Sequence, residues 1–436
     1  MVGSADLAHL LRRTEFVARP QRMAELAEAT LEEAVDDVLD LARNGSPQLP
    51  ERFAVHDGTR GWEQYVDATG WWLDAMVTRP RPLQEKLALF WHGHFTSAWW
   101  DVGRADHMMR QNQLYRELGL GNLVTLTQRM ALEPAMLIYL SNGENQKSAP
   151  NQNFARELME LFTLGVGNYT EADVEAAARA WTGHNYDHTN HVYVFRPTRH
   201  DTGTKTFFGT PRNWDGPEII DEILLGSTRR TAARFVAGKL WDAFAHPGGP
   251  ANVLDDLAEV LLANGMELRP LLRALLLRPE FYATTSRQGL VRSPVEWLVA
   301  LSFHTGLTGA DLGVSWQGER MGKSLFNPPN VSGWRPNAAW LGTSALDGRA
   351  GVARSVTWRL RDEARPYRFE DVHAMTVEAA VDHVAAYFGI HPLSSTTRGA
   401  LVAAHRAERS SVGWASWWAP TNLLTMVMLA PELHMA

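Results

Sequence analysis

Apolar residues recur at three- and four-residue intervals along nearly the whole chain, and this spacing constrains its fold most. In TLEEAVDDVLDLARNG, Leu31, Ala34, Val35, Val38, Leu39 and Leu41 line one face before Asn44-Gly45 stops the helix. PLQEKLALFW begins after Pro82 and places Leu83, Leu87 and Phe90 in the same way. LVTLTQRMALEPAMLIYL, RPLLRALLLRPEFYA and LLTMVMLAPELHMA each read as an apolar helix ended by proline, which bars its preceding residue from the helical region. The three share an order: apolar helix, Pro, an acidic or small residue, a large apolar one. Either this is an internal repeat or it is how buried helices commonly end.

Strand signal is scarce. HVYVF (191–195) alternates, and KTFFG (205–209) can pair with it around RHDTG, which predicts one small β-hairpin. SLFNPPNVSGWRPNAAWLGTSAL (324–346) is too rich in Pro, Gly and Asn to be regular, yet it carries Trp334 and Trp340. That predicts a packed, structured loop. From 360 onward the pattern is again helical, so 360–436 is a candidate C-terminal helical subdomain. No Gly/Ser/Pro linker sets it apart. The expectation is therefore a mostly α chain, with 1–436 forming one large helical domain that carries one small β-hairpin and the long loop. A chain of 436 residues, 45 % hydrophobic and 21 % charged, can bury such a core without crosslinks.

Composition excludes several functions. There is no cysteine, so thiolate metal sites, iron–sulfur clusters and Cys nucleophiles are ruled out. The net charge of −7, with no basic run, argues against nucleic acid as a partner. No stretch is long and apolar enough to span a bilayer. The opening MVGSADLAHLLRRTEFVARP lacks the charged start, apolar run and cleavage site of a signal peptide, so the chain as written reads as soluble and cytoplasmic. Neither G-x-S-x-G nor a phosphate-binding Gly-rich loop is present.

The chemistry-bearing residues fall in three stretches. FWHGHFTSAWW (90–100) sets His92 and His94 on either side of Gly93. If the segment is extended there, the two imidazoles form a two-nitrogen pincer; on a helix they diverge. They are metal ligands or packed core rings. PNQNFARELMELFTLGVG carries Asn153, Glu157 and Glu160 on one stripe beside a wide apolar face, as in helix bundles that hold metal ions. The other reading is an exposed acidic edge with Arg156 paired to Glu160. TEAD then predicts a capped helix start at Thr170. RHDTGTK supplies His200, Asp201 and Lys205: further ligands, acid/base groups and an anion binder, or a self-capped turn. His184, His188 and His191 lie in an irregular polar stretch and read as a surface group.

Together these motifs carry a family resemblance. AHLLRRTEFVARP, KLALFWHGHFTSA, PAMLIYLSN, NQNFARELMELFTLGVGNYTEADVEAAARAWTG, FRPTRHDTGTKTFFG and FNPPNVSGWRPNAAWLGTSAL occur in the order seen in the bacterial DUF 1800 family, which the chain resembles over most of residues 6–346. The resemblance implies a large helical domain and brings no reaction. Family members often look exported, whereas this chain shows no leader. It also has His184 where the family usually shows Trp. The family's recurring polar residues fall here on His92, His94, Asn153, Arg156, Glu157, Glu160, His200, Asp201 and Lys205.

The expectation is a metal-dependent enzyme. His92, His94, Glu157 and Glu160 would hold a divalent ion (zinc, manganese or iron), and His200 and Asp201 would be catalytic. Asn153, Arg156 and Lys205 would support them. The alternative is a binding or scaffold protein whose 17 tryptophans grip a polymer or partner. Substrate and oligomeric state are open.

Overall fold

The computed structural model describes residues 1–45, 48–287, 289–360, 369–390 and 392–436. Among them run 25 α-helices and four short strands, so the chain is mostly α-helical, as the periodicity predicts. Thr30, Thr170 and Ser293 open their helices with reciprocal caps to Glu33, Asp173 and Glu296. The last of these caps pins the Glu296 carboxylate at the start of helix Pro294–Thr305.

The three proline stretches share one corner. Pro134, Pro279 and Pro431 each open a new short helix after the apolar one ends. Their preceding residues, Glu133, Arg278 and Ala430, all sit at φ −67° to −64° and ψ 134° to 141°. Proline forces that extended value on its neighbour and loses no hydrogen bond at a first helical position.

The strands differ from the expected pairing. β1 (His184–Asp187) pairs antiparallel with β2 (Val192–Phe195), and β3 (Lys205–Phe207) with β4 (Thr210–Arg212). The 191–195 run therefore turns back on 184–187, not forward onto 205–209. The turn between β1 and β2 is closed by Asp187, whose Oδ1 accepts from the Thr189 amide at 2.9 Å. A short self-capped turn costs less chain entropy than closing the longer loop across RHDTG.

One apolar cluster extends from Leu7 to Leu433 and includes the fully buried Trp72, Trp91, Trp181, Trp241 and Trp297. The 324–346 stretch is structured, with Leu325, Phe326 and Trp340 buried and a short 3-10 turn at Asn337–Leu341. The C-terminal part is helical at Val377–Tyr387, Ser395–Arg409 and Trp414–Met428; residues 361–368, at the start of the expected subdomain, lie outside the described residues. Among the described residues no helix is long and apolar enough to cross a membrane.

Two segments position the candidate residues. Helix Leu83–His94 lies in the core. The acidic segment starts as α-helix Asn153–Glu157 and widens into a π-helix over Leu158–Thr163. There the Leu164 amide donates to the Met159 carbonyl at 2.8 Å, five residues back.

Candidate functional site

Helix Leu83–His94 runs through both histidines of FWHGHFTSAWW, so their rings leave it in nearly opposite directions and no pincer forms. Gly93 does not end the helix. It lets the loop come close: Trp334 lies over it, and Gly333 packs on its carbonyl. His92 is buried among Trp72, Phe326 and Trp334, with ring centroids 5.4–5.7 Å apart, and its Nε2 has no partner among the described residues. Burial, then the nearby Lys323 charge, lowers its pKa to about 3. His94 instead hydrogen-bonds through Nε2 to the Phe162 carbonyl at 2.9 Å. Burial and Lys239 lower its pKa to about 3 as well. Both rings are neutral at pH 7.

Glu157 and Glu160 do share a side, as their spacing predicts. Burial and the Glu160 charge raise the Glu157 pKa. Glu160 accepts a hydrogen bond from the Tyr169 hydroxyl at 2.5 Å. Arg156 makes its forked pair with Glu171, at 2.7 Å, and not with Glu160. Asn153 is exposed.

The structure does not bring these carboxylates and the two histidines into one cage. His94 meets the end of the acidic segment at Phe162, whereas Phe154 at its start packs on Trp181, whose ring neighbours His184. Eight helical residues separate those ends by roughly 12 Å.

Among the described residues, one group of three His, Asp or Glu ligand atoms lies within 4.8 Å of one another: His184, His200 and Asp215. His184 is buried on β1, not at the surface as its irregular surroundings suggest; the β1–β2 pairing covers it. His188 is exposed, in keeping with its sequence reading. His200 is buried and hydrogen-bonds through Nδ1 to the Thr182 carbonyl at 2.7 Å. A carbonyl only accepts, so Nδ1 carries a proton, and Nε2 lies 3.9 Å from Asp215 Oδ1. His184 Nε2 lies 2.8 Å from the same oxygen, and its Nδ1 lies 3.0 Å from the Tyr193 hydroxyl, which can donate or accept. Asp215 is half-open to solvent. Burial raises its pKa, but His184 outweighs this and holds it below the usual carboxylate range.

The rest of RHDTGTK braces this cluster. Arg179 donates to Asp201 Oδ2 at 2.7 Å, and the Asp201 amide donates to Thr182 Oγ1 at 2.8 Å. The Lys205 ammonium is buried and donates to the Asp201 carbonyl and, at 2.9 Å, to Asn213 Oδ1. It thereby ties the 200–205 loop to the strand end that leads into Asp215.

A family model described as "Protein of unknown function (DUF1800)" matches residues 9–435. The chain belongs to the DUF1800 family. No curated protein and no solved structure matches this DUF1800 chain. Its geometry must therefore carry any functional reading. Sequence reasoning missed Asp215 in this role. The D-x-x-E box Asp215–Glu218 announces a helix start, but spacing alone does not reveal that it meets two histidines fifteen and thirty-one residues upstream.

Proposed function

We propose that this DUF1800 chain is a metal-dependent enzyme, hydrolytic or oxidative, whose ion is held by His184, His200 and Asp215. The observation that carries the reading is the convergence of two buried imidazoles and one half-open carboxylate within 4.8 Å. His200 already has the second-shell arrangement common to metal-bound histidines, with its far nitrogen donating to a backbone carbonyl. Two histidines and a carboxylate without sulfur suit zinc, manganese or non-haem iron, and they leave coordination positions open for water or substrate. Such an ion acidifies bound water and polarises a substrate oxygen. Asp201 and Lys205 position the ligand loop, since both are engaged in it.

Elemental analysis of protein purified without chelator tests this reading. The expected result is about one ion per chain, lost in both His200→Ala and Asp215→Ala. A metal-free wild type that takes up no zinc, manganese or iron in calorimetric titration would overturn it.

A second reading, a non-catalytic binding protein, is favoured by two observations. Both nitrogens of His184 already have partners. In addition, Trp62 and Trp100 are exposed, with rings stacked 5.8 Å apart, a surface fit for a polymer chain.

A further inference from the structure

The chain has five lysines, and three of them, Lys86, Lys239 and Lys323, line one cleft of about 310 Å³. Phe90, Trp334 and Trp340 also line it. Two acids, Glu296 and Asp242, line it too, so its charge must be weighed group by group. Asp242 Oδ1 accepts from the Gly248 amide at 2.9 Å, and burial raises its pKa. Glu296 is fully engaged. Lys86 donates to one of its oxygens, and the Ser293 amide donates to the other at 2.8 Å. Burial pushes the Glu296 pKa up, but Lys86 and Lys323 outweigh it and hold the group ionised. Lys323 donates to Ser293 Oγ at 3.3 Å and stands 5.2 Å and 5.9 Å from the Trp334 and Trp340 ring centres.

Behind Glu296 lie Arg13, Arg292 and Arg349, which are 1 %, 5 % and 0 % exposed. Their donors go to backbone carbonyls: Arg13 to Ser286, Arg292 to Leu433 and Phe16, Arg349 to Arg292. The Nε of all three, and Nη1 of Arg13 and Arg349, have no partner among the described residues. Glu296 is the carboxylate whose field reaches all three. Among the described residues, five cations thus share one half-buried carboxylate. A buried guanidinium without a counter-charge costs several kcal/mol, so this region carries an unmet demand for negative charge. In the cleft, burial, reinforced by Lys86 and partly opposed by Glu296, lowers the Lys323 pKa to about 8.

We propose that this cleft binds a phosphate monoester, its dianion drawn to Lys86 and Lys323 and its flat body lying against Trp334 and Trp340. The lining sets three lysines against two acids, and the three buried arginines bring the surplus of positive charge above one unit, which favours a dianion over a carboxylate. The aromatic walls favour a planar body over a free inorganic ion. The site is separate from the His184–His200–Asp215 cluster and does not depend on a metal there.

The test is tryptophan fluorescence and thermal unfolding with phenyl phosphate, inorganic phosphate and benzoate, each at the same ionic strength set with sodium chloride. Phenyl phosphate should bind at least about tenfold more tightly than benzoate and more tightly than inorganic phosphate, and it should raise Tm. Lys323→Met should weaken it by about tenfold or more, whereas Lys147→Met, which removes an exposed lysine elsewhere, should leave it unchanged. If Lys323→Met does not fold, the exposed Lys239→Met supplies the readout, with a weaker loss that fades at high salt. Equal responses to phenyl phosphate, benzoate and chloride, or a lysine variant that folds and binds like wild type, would overturn the proposal. Tighter binding of inorganic phosphate than of phenyl phosphate would remove the planar body.

Discussion

His94 Nε2 hydrogen-bonds to the carbonyl oxygen of Phe162 at 2.9 Å, and this bond joins the core helix Leu83–His94 to the π-helical turn of the acidic segment. The bond is buried, and the carbonyl lies at a helix end where its usual partner is missing. His94→Ala should therefore lose about 2–4 kcal/mol in urea unfolding, from an orphaned carbonyl plus a cavity among Phe90, Phe95 and Phe235. His94→Gln keeps a donor and should lose less. Equal losses would show that packing, not the hydrogen bond, holds the two helices together.

Acid should destabilise the fold early. Burial is the largest cause in each of His9, His92, His94 and His434, and each is lowered from 6.5 to about 3. Between those values the unfolded chain binds the extra protons, so stability is full above pH 6.5 and falls as pH drops. Each ring contributes a slope of about 1.4 kcal/mol per pH unit well below 6.5. Urea unfolding at pH 7 and pH 5 should differ by several kcal/mol. A flat profile would contradict the burial of these rings.

The approach of the 324–346 loop to the core predicts a contrast between two glycines. Gly333 has φ +77°, and a Cβ there would lie 2.4 Å from the Gly93 carbonyl oxygen. Gly333→Ala should destabilise by about 2 kcal/mol or more and loosen Trp334. A Cβ on Gly93 meets only Trp334 at 3.6 Å, an ordinary contact. Gly93→Ala should be neutral, or stabilising by up to about 1 kcal/mol through helix propensity. Comparable losses in both would mean that Gly93, too, is needed for the loop to seat.

Glu157 and Glu160 repel one another in a half-buried setting. Glu157→Gln should therefore be neutral, or stabilising by up to about 1 kcal/mol, and should leave metal content unchanged. If an ion sits at His184, His200 and Asp215 as proposed, Asp215→Asn should remove it. Loss of metal in Glu157→Gln would return the ion to the acidic segment and away from Asp215.

Local physics made much of this fold legible. The helices follow from apolar spacing, and the Thr170 start follows from its reciprocal cap, because both signals lie within a few residues of each other. The strand partners did not follow. The 184–187 stretch HNYD has little β-branched character, and the Asp187 turn that folds it onto Val192 was the better clue. The same turn explains His184, which looks like a loop residue until the pairing buries it. In the candidate site, His200, Asp201 and Lys205 come together because they share one short loop. Asp215 and the arginines behind Glu296 do not announce themselves, since their meeting depends on tertiary packing of distant segments. The two histidines at 92 and 94 show the limit of motif reading: their spacing is informative only once it is known whether the backbone there is helical or extended.

The π-helical turn at Leu158–Thr163 accommodates one residue more than an ordinary helical turn would. Deleting any one residue from it would not simply shorten the chain. It would let the wide turn close as an ordinary α-helical one, with Phe154 still on Trp181 and Phe162 still phased toward His94, because the extra residue is the one the π-turn absorbs. Loss of a single codon there is therefore the change the segment absorbs most easily, whereas gain of one would rotate its two ends apart by roughly 100°.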